Sequence, residues 1–224
     1  LTVYHQEENE PEDISVTVSN VELPTVSYEM LEDSIGYLRV TEFTMVTPQQ
    51  FENAYKDLQE KGMEKLIVDL RDNPGGVLSS VCDVLRQIVP EGLIVYTEDK
   101  YGEKQEMKCD GDTPIDIPLA VLVNENSASA SEIFAGAVKD YGIGTIVGTT
   151  TYGKGIVQSL QKLSDGSAVK LTTARYYTPK GNDIHKVGIT PDVEEKLDVS
   201  LLNKTEISHE EDNQLQAAIE AVSR

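Results

Sequence analysis

Long apolar runs are missing from this 224-residue chain. No stretch reaches the roughly 18 apolar residues that a membrane-spanning helix needs. Cysteine is scarce. Cys82 and Cys109 are the two present, without a CxxC pair or a metal-type cluster, so neither a zinc framework nor a disulfide scaffold is indicated. Cys82 falls in an apolar helical pattern and is expected to be buried, whereas Cys109 sits among polar residues. A disulfide between them is allowed but not predicted. Histidine is limited to His5, His185 and His209, and their spacing does not suit a metal site. Basic residues are outnumbered, 19 against 39 acidic, for a net charge of −20. That balance speaks against nucleic acid or an anionic membrane surface as a direct partner. No secretory leader is visible. The chain opens on Leu1-Thr-Val-Tyr4, which reads as the middle of a strand, so a fragment whose natural start lies elsewhere is expected. Repeats and low-complexity tracts are also lacking.

What is present reads as strands alternating with helices. Residues 1 to 19 hold two β-like runs, Leu1 to Tyr4 and Ile14 to Val18. Residues 20 to 34, with Pro24, read as a connector. Strands are predicted at Gly36–Val40, Leu66–Leu70, Leu93–Tyr96, Leu119–Val123 and Gly144–Val147. Helices are predicted at Pro48–Lys61, with Phe51, Tyr55 and Leu58 on one face, at Val77–Val89, and at Ala130–Tyr141. This order implies βα units and a largely parallel sheet. After Ile156 the chain turns β-rich, at Val157–Leu163 and Val169–Tyr177. A polar amphipathic helix, Glu210–Val222, closes it. The acidic blocks Glu7 to Asp13 and Glu194 to Asp212 read as solvated faces or mobile tails.

Two segments carry chemistry. In Asn124-Glu-Asn-Ser-Ala-Ser-Ala-Ser-Glu-Ile133, Ser129 stands between a predicted strand and a predicted helix. Such a junction exposes a side chain beside unpaired helical N–H groups, which suit a developing oxyanion. The same residues fit a capping box, Ser129-Ala-Ser-Glu132, in which Ser129 only ends a helix. In Gly153-Lys-Gly-Ile-Val-Gln158, Lys154 lies between two glycines and ahead of apolar residues. A buried, neutral lysine can take a proton from a serine, provided its pocket is dry and free of acids. Gln158 could orient the amine. On a regular strand it would lie roughly 13 Å away at about 3.3 Å per residue, so contact needs a bend or a bulge at Gly155. Read separately, each residue also fits an ordinary structural place: a solvated lysine and a strand glutamine.

Rival readings exist for the same stretches. Gly148-Thr-Thr-Thr-Tyr-Gly-Lys154 matches G-x-x-x-x-G-K, and Asp69 stands where a magnesium-site acid would. Yet position 155 is glycine rather than Ser or Thr, and Ile156-Val-Gln-Ser is a poor helix start for a phosphate cradle. His185 offers a serine–histidine alternative. Asn73-Pro-Gly-Gly76 is either a tight βα turn or a loop presenting N–H groups to an oxyanion.

Taken together, these segments resemble the carboxyl-terminal processing peptidases, or tail-specific proteases. The resemblance rests on Ile35-Gly-Tyr-Leu-Arg-Val40, Val68-Asp-Leu-Arg-Asp-Asn-Pro-Gly-Gly76, the Ser129 and Lys154 motifs, and Tyr177-Thr-Pro-Lys-Gly181 through Gly188-Ile-Thr-Pro-Asp192. It covers roughly residues 35 to 195. It implies an α/β fold, a ClpP/crotonase-like core of βα units with a β-rich C-terminal part. It implies a serine endopeptidase with Ser129 as nucleophile, Lys154 as base and Gln158 orienting the lysine. The backbone N–H groups of Gly75 or Gly76, and of Ala130, become the oxyanion donors. No metal or other cofactor is implied. The domain plan that follows is 1–19 as a remnant of PDZ strands, 20–34 as connector, 35–195 as protease core, and 196–224 as an acidic segment with a helix. A PDZ domain captures a free C-terminus by strand addition. The resemblance further implies unfolded polypeptide substrates with apolar C-termini and an extracytoplasmic setting. Membrane contact would come only through an anchor outside this segment, and a homo-oligomer is left open. The other readings to be weighed are a catalytically silent binding protein on the same fold and a P-loop nucleotide-binding protein.

Overall fold

The computed structural model describes residues 1–4, 10–18, 22–112, 114–202, 204 and 207–224. Strands β1 (Thr2–Val3) and β2 (Glu12–Asp13) form a small antiparallel hairpin. It is closed by Ile14 N–H to the Leu1 carbonyl at 2.8 Å and the Leu1 amine to the Ile14 carbonyl at 2.9 Å. The run Ile14–Val18, expected as a strand, is not one; pairing stops where the apolar run begins.

The centre is a six-stranded sheet. It contains β3 (Val26–Met30), β4 (Ile35–Val40), β5 (Lys65–Asp69), β8 (Leu119–Val123), β9 (Thr145–Gly148) and β12 (Val193–Glu194). Their spatial order is β12-β9-β8-β5-β4-β3. All neighbours are parallel except β3, which runs antiparallel along β4. β3 lies inside the expected connector. Its sequence, Val-Ser-Tyr-Glu-Met, is half-polar because it is an edge strand with an exposed middle.

Helices α1 (Thr47–Glu60), α2 (Leu78–Leu85) and α3 (Ala130–Tyr141) pack on one face. There the alternate strand residues Leu38, Val40, Leu66, Val68, Val121 and Val123 meet Phe51, Leu58, Val81 and Phe134. α1 buries Phe51, Ala54 and Leu58, and Tyr55 is half-buried beside them. The opposite residues, Tyr37, Ile67, Leu122 and Val147, meet α4 (Asn213–Val222) through Leu215, Ala218 and Val222. The period-two alternation of a strand thus supplies two cores from one sheet. The C-terminal acidic block therefore does not end in a mobile tail. Asp212 is buried and caps α4, accepting from Leu215 N–H at 3.0 Å.

A second, antiparallel sheet runs β10 (Ile156–Lys162), β11 (Ala168–Tyr177), β6 (Gly92–Asp99), β7 (Lys104–Cys109). The strand expected at Leu93–Tyr96 belongs here and not to the parallel sheet. After α2 the chain breaks at Pro90-Glu91-Gly92, with Gly92 at φ 146°. It then forms the β6–β7 hairpin before returning to the centre as β8. β7 escaped the sequence reading because Lys-Gln-Glu-Met-Lys-Cys is a charged, exposed edge, the composition with which edges avoid pairing with other chains. Cys82 and Cys109 are both buried and both free, and the Cys109 thiol sits 3.4 Å from the Val89 carbonyl.

Candidate active site

Ser127, Ser129 and Ser131 have different fates. Ser127 is fully buried and donates to the Leu70 carbonyl at 2.8 Å. Ser131 is fully buried and donates to the Asn73 carbonyl at 3.0 Å. Ser129, half-buried, is the N-cap of α3. An N-cap ordinarily has extended backbone, but Ser129 stands at φ 55°, ψ −110°. Such a conformation costs on the order of 1–3 kcal/mol and persists where surrounding structure enforces it. Its side chain is turned toward the Glu132 N–H in a capping-box arrangement, without a full cap hydrogen bond. The capping box is carried by Glu132, which accepts the Ser129 N–H at 2.8 Å. The serine is therefore held by its backbone through Glu132.

Glu132 is the residue that sequence reasoning underrated. It is fully buried at the first turn of α3. One oxygen, Oε1, accepts from Thr151 Oγ1 at 2.6 Å and from Gly153 N–H at 2.6 Å. The other, Oε2, accepts from Lys154 N–H and from Ser129 N–H, each at 2.8 Å. The backbone nitrogens of the two motif residues thus share a single oxygen and lie no further apart than twice that distance. The S-x-x-E spacing carried this signal, but pointed to helix capping alone.

Lys154 precedes β10 in a loop and is half-buried. Among the described residues its amine has no ion-pair or hydrogen-bond partner. The nearby carboxylate, Glu132, spends its oxygens on four N–H and O–H donors. No hydrogen bond joins the Ser129 hydroxyl to the Lys154 amine. Such contacts commonly tighten only when substrate is bound. Gln158 lies on β10 and is exposed. An irregularity in the strand register falls between Val157 and Gln158, not at Gly155. The structure therefore brings the Lys154 backbone close to that of Ser129, and no hydrogen bond joins Gln158 to the lysine.

The Asn73–Gly76 loop lies directly against the serine. A Cβ built on Gly75 would sit 2.8 Å from the Ser129 Cβ and 2.8 Å from the Ala130 nitrogen. Gly75 has φ 102° and Gly76 φ 142°, conformations that favour glycine. The Gly75 N–H donates to Asn73 Oδ1 at 2.9 Å. Gly76 and Ala130 N–H have no partner among the described residues.

The rival motifs fare differently. The segment after Lys154 is strand β10, so the helix that a phosphate cradle needs does not follow. Asp69 is fully buried and bound to Arg71 at 2.7 Å and to the Tyr37 hydroxyl at 2.6 Å, so it serves an ion pair. His185 packs against Gly155, its N–H donating to Asp183 at 2.8 Å, without a hydrogen bond to Ser129. His209 lies beside Tyr37, the two rings tilted by 53° with centroids 5.5 Å apart. His5 lies outside the described residues.

Comparison with known proteins gives a consistent result. The profile of Peptidase family S41 matches residues 34–195. A carboxyl-terminal-processing protease of Synechocystis is 39% identical over 217 residues, covering 95% of this chain and 50% of the relative. A chloroplastic C-terminal processing peptidase of Tetradesmus obliquus is 41% identical over 180 residues, covering 80% of this chain and 39% of the relative. Among solved structures, a photosystem II D1 C-terminal processing protease superposes with a TM-score of 0.72 at 36% identity, covering 80% of this chain and 50% of that one. The chain spans about half the length of the curated relatives it matches.

Proposed function

The chain belongs to peptidase family S41, and on that premise we propose that it is the core of a serine endopeptidase working through Ser129 and Lys154. The observation that carries the reading is the Glu132 bridge, which ties the strained serine and the lysine loop to one buried carboxylate. A structural cap would need neither the strain nor the second loop.

In this mechanism the neutral Lys154 amine takes the Ser129 hydroxyl proton as the oxygen attacks the scissile carbonyl carbon. Negative charge gathers on the former carbonyl oxygen, beside the Gly76 and Ala130 N–H groups. The lysine then returns the proton to the leaving amine as the C–N bond breaks, and an acyl-enzyme forms. Water, deprotonated by Lys154, releases the acid. Lys154 is only half-buried in the isolated chain, so a polypeptide lying over it would complete its desolvation. Gln158 would engage the amine only in that covered state. Unfolded polypeptides with apolar C-termini are the proposed substrates, in an extracytoplasmic compartment. The domain plan of a PDZ remnant, connector, core and C-terminal segment is part of the same proposal.

The test is labelling by a fluorophosphonate probe at about pH 7 and about pH 9, on wild type, Ser129→Ala and Lys154→Ala. Only the neutral amine is a base, so wild-type labelling should increase with pH. Both variants should lose it while keeping their circular dichroism. Labelling that survives Lys154→Ala would remove the lysine from the mechanism.

A further inference from the structure

We propose that Asn73 is the positioning residue of the oxyanion site, a role that rests on the peptidase reading above. Asn73 is fully buried and each of its polar groups is used. Its Nδ2 donates to the Val40 carbonyl at the end of β4, at 2.8 Å. That bond fixes the amide so that Oδ1 faces the Gly75 N–H, 2.9 Å away. Its own carbonyl accepts from Ala128 N–H at 3.0 Å and from Ser131 Oγ at 3.0 Å, one on each side of Ser129. One side chain thus anchors the glycine loop to the sheet. The same residue's backbone anchors the segment that bears the nucleophile.

The consequence lies in which donor is left over. With Gly75 N–H taken, Gly76 is the glycine whose N–H is open. Its direction is also set. The Gly75 carbonyl accepts from Phe43 N–H at 2.9 Å. Across a trans peptide the carbonyl and the following N–H point in opposite directions, so the Gly76 N–H is turned away from Phe43. Phe43 holds the far side as well, its carbonyl accepting from Val77 N–H at 2.7 Å. Asn73 and Phe43 together leave the Gly75–Gly76 peptide a single orientation. Without Asn73, the Gly75 N–H becomes a competing orphan donor, and the spacing between Gly76 and Ala130 is no longer enforced from one residue. Oxyanion donors act through preorganisation, so loss of that spacing falls on the chemical step.

The measurement is hydrolysis of a p-nitrophenyl ester, which needs the nucleophile, the base and the oxyanion donors but no polypeptide capture. Wild type, Asn73→Ala, Asn73→Asp, Ser131→Ala and Ser129→Ala are compared for kcat, KM, pH profile and thermal unfolding. Asn73→Asp keeps an acceptor for Gly75 but removes the donor to Val40 and sets a negative charge beside the developing oxyanion. Both Asn73 variants should lower kcat by about 10²- to 10³-fold, the loss seen when an oxyanion donor is removed. KM should stay within about threefold of wild type in both variants, and in Asn73→Ala, which adds no charge, the pH midpoint should stay within about half a unit. Ser131→Ala, which removes one neutral hydrogen bond to the Asn73 carbonyl, should cost roughly two- to tenfold in kcat. It keeps the test open should the Asn73 variants fail to fold. A wild-type kcat in any folded Asn73 variant, or in Ser131→Ala, overturns the proposal. So does a fall in thermal stability with KM and the pH midpoint shifting together, which marks a merely structural residue. A wild type no faster than Ser129→Ala instead overturns the peptidase reading, and this role with it.

Discussion

Among the described residues, Glu132 has four donors and no cation at its carboxylate. A glutamine in its place has one oxygen and one NH₂ group. Whichever way the amide turns, the NH₂ faces two donors that had been accepted. Each buried donor left unpaired costs about 1–3 kcal/mol. Glu132→Gln should therefore lower stability by about 2–6 kcal/mol in denaturant unfolding and slow probe labelling more than tenfold. Lys154→Ala should abolish labelling with little loss of stability, because its amine has no hydrogen-bond or ion-pair partner among the described residues. If Glu132→Gln labelled at the wild-type rate, the bridge would not position the site. The candidate serine and lysine could be singled out in the sequence because small residues and glycines flank them. The Glu132 bridge was not, since its partners Thr151, Gly153 and Lys154 come from a separate loop and nothing local marks the contact.

At the scale of elements, the sequence located α1, α2, α3 and the buried strands because apolar periodicity and burial coincide there. It missed β3 and β7, whose exposed edges carry polar residues, and it located α4 without showing what the helix packs on. That helix is tied to the sheet by Arg71, which bonds Asp69 at 2.7 Å and Asp212 at 2.8 Å. Asp69 is fully buried. Removing its cation by Arg71→Met should cost about 3–5 kcal/mol, the usual penalty for stranding a buried charge. Burial opposes ionisation of Asp212, but the hydrogen bond and charge of Arg71 outweigh it and hold its carboxyl below the usual carboxylate range. A folded-state value below the unfolded one contributes stability at pH above the unfolded value near 3.8 and loses it as pH falls through the folded value. Wild type should therefore lose this part of its stability in acid, below about pH 4. Asp212→Asn should be less stable at neutral pH and converge on wild type in strong acid. Parallel stability curves for the two would show that Asp212 does not anchor α4.

For the molecule as a whole, a net charge of −20 has to be reconciled with two apolar cores and a buried ion pair. Excess charge of one sign repels itself in the compact state. Surface ion pairs such as Lys61–Asp57 and Arg224–Glu220 offset this weakly, since an exposed pair gains little in water and gives up side-chain freedom. Salt screens both effects, with a Debye length near 10 Å at about 0.1 M. The Arg71 pairs are screened least because they lie inside. The repulsion acts over many exposed carboxylates, whereas the attractive surface pairs are few, so screening should remove more repulsion than attraction. The melting temperature at neutral pH should then rise between about 0.01 M and about 0.3 M sodium chloride. The rise should be larger in Lys61→Ala, which deepens the negative excess, and smaller in variants that replace exposed glutamates with glutamine. A melting temperature that fell with salt would mean that the few ion pairs outweigh the excess charge, and that the acidic composition is balanced locally by geometry rather than tolerated.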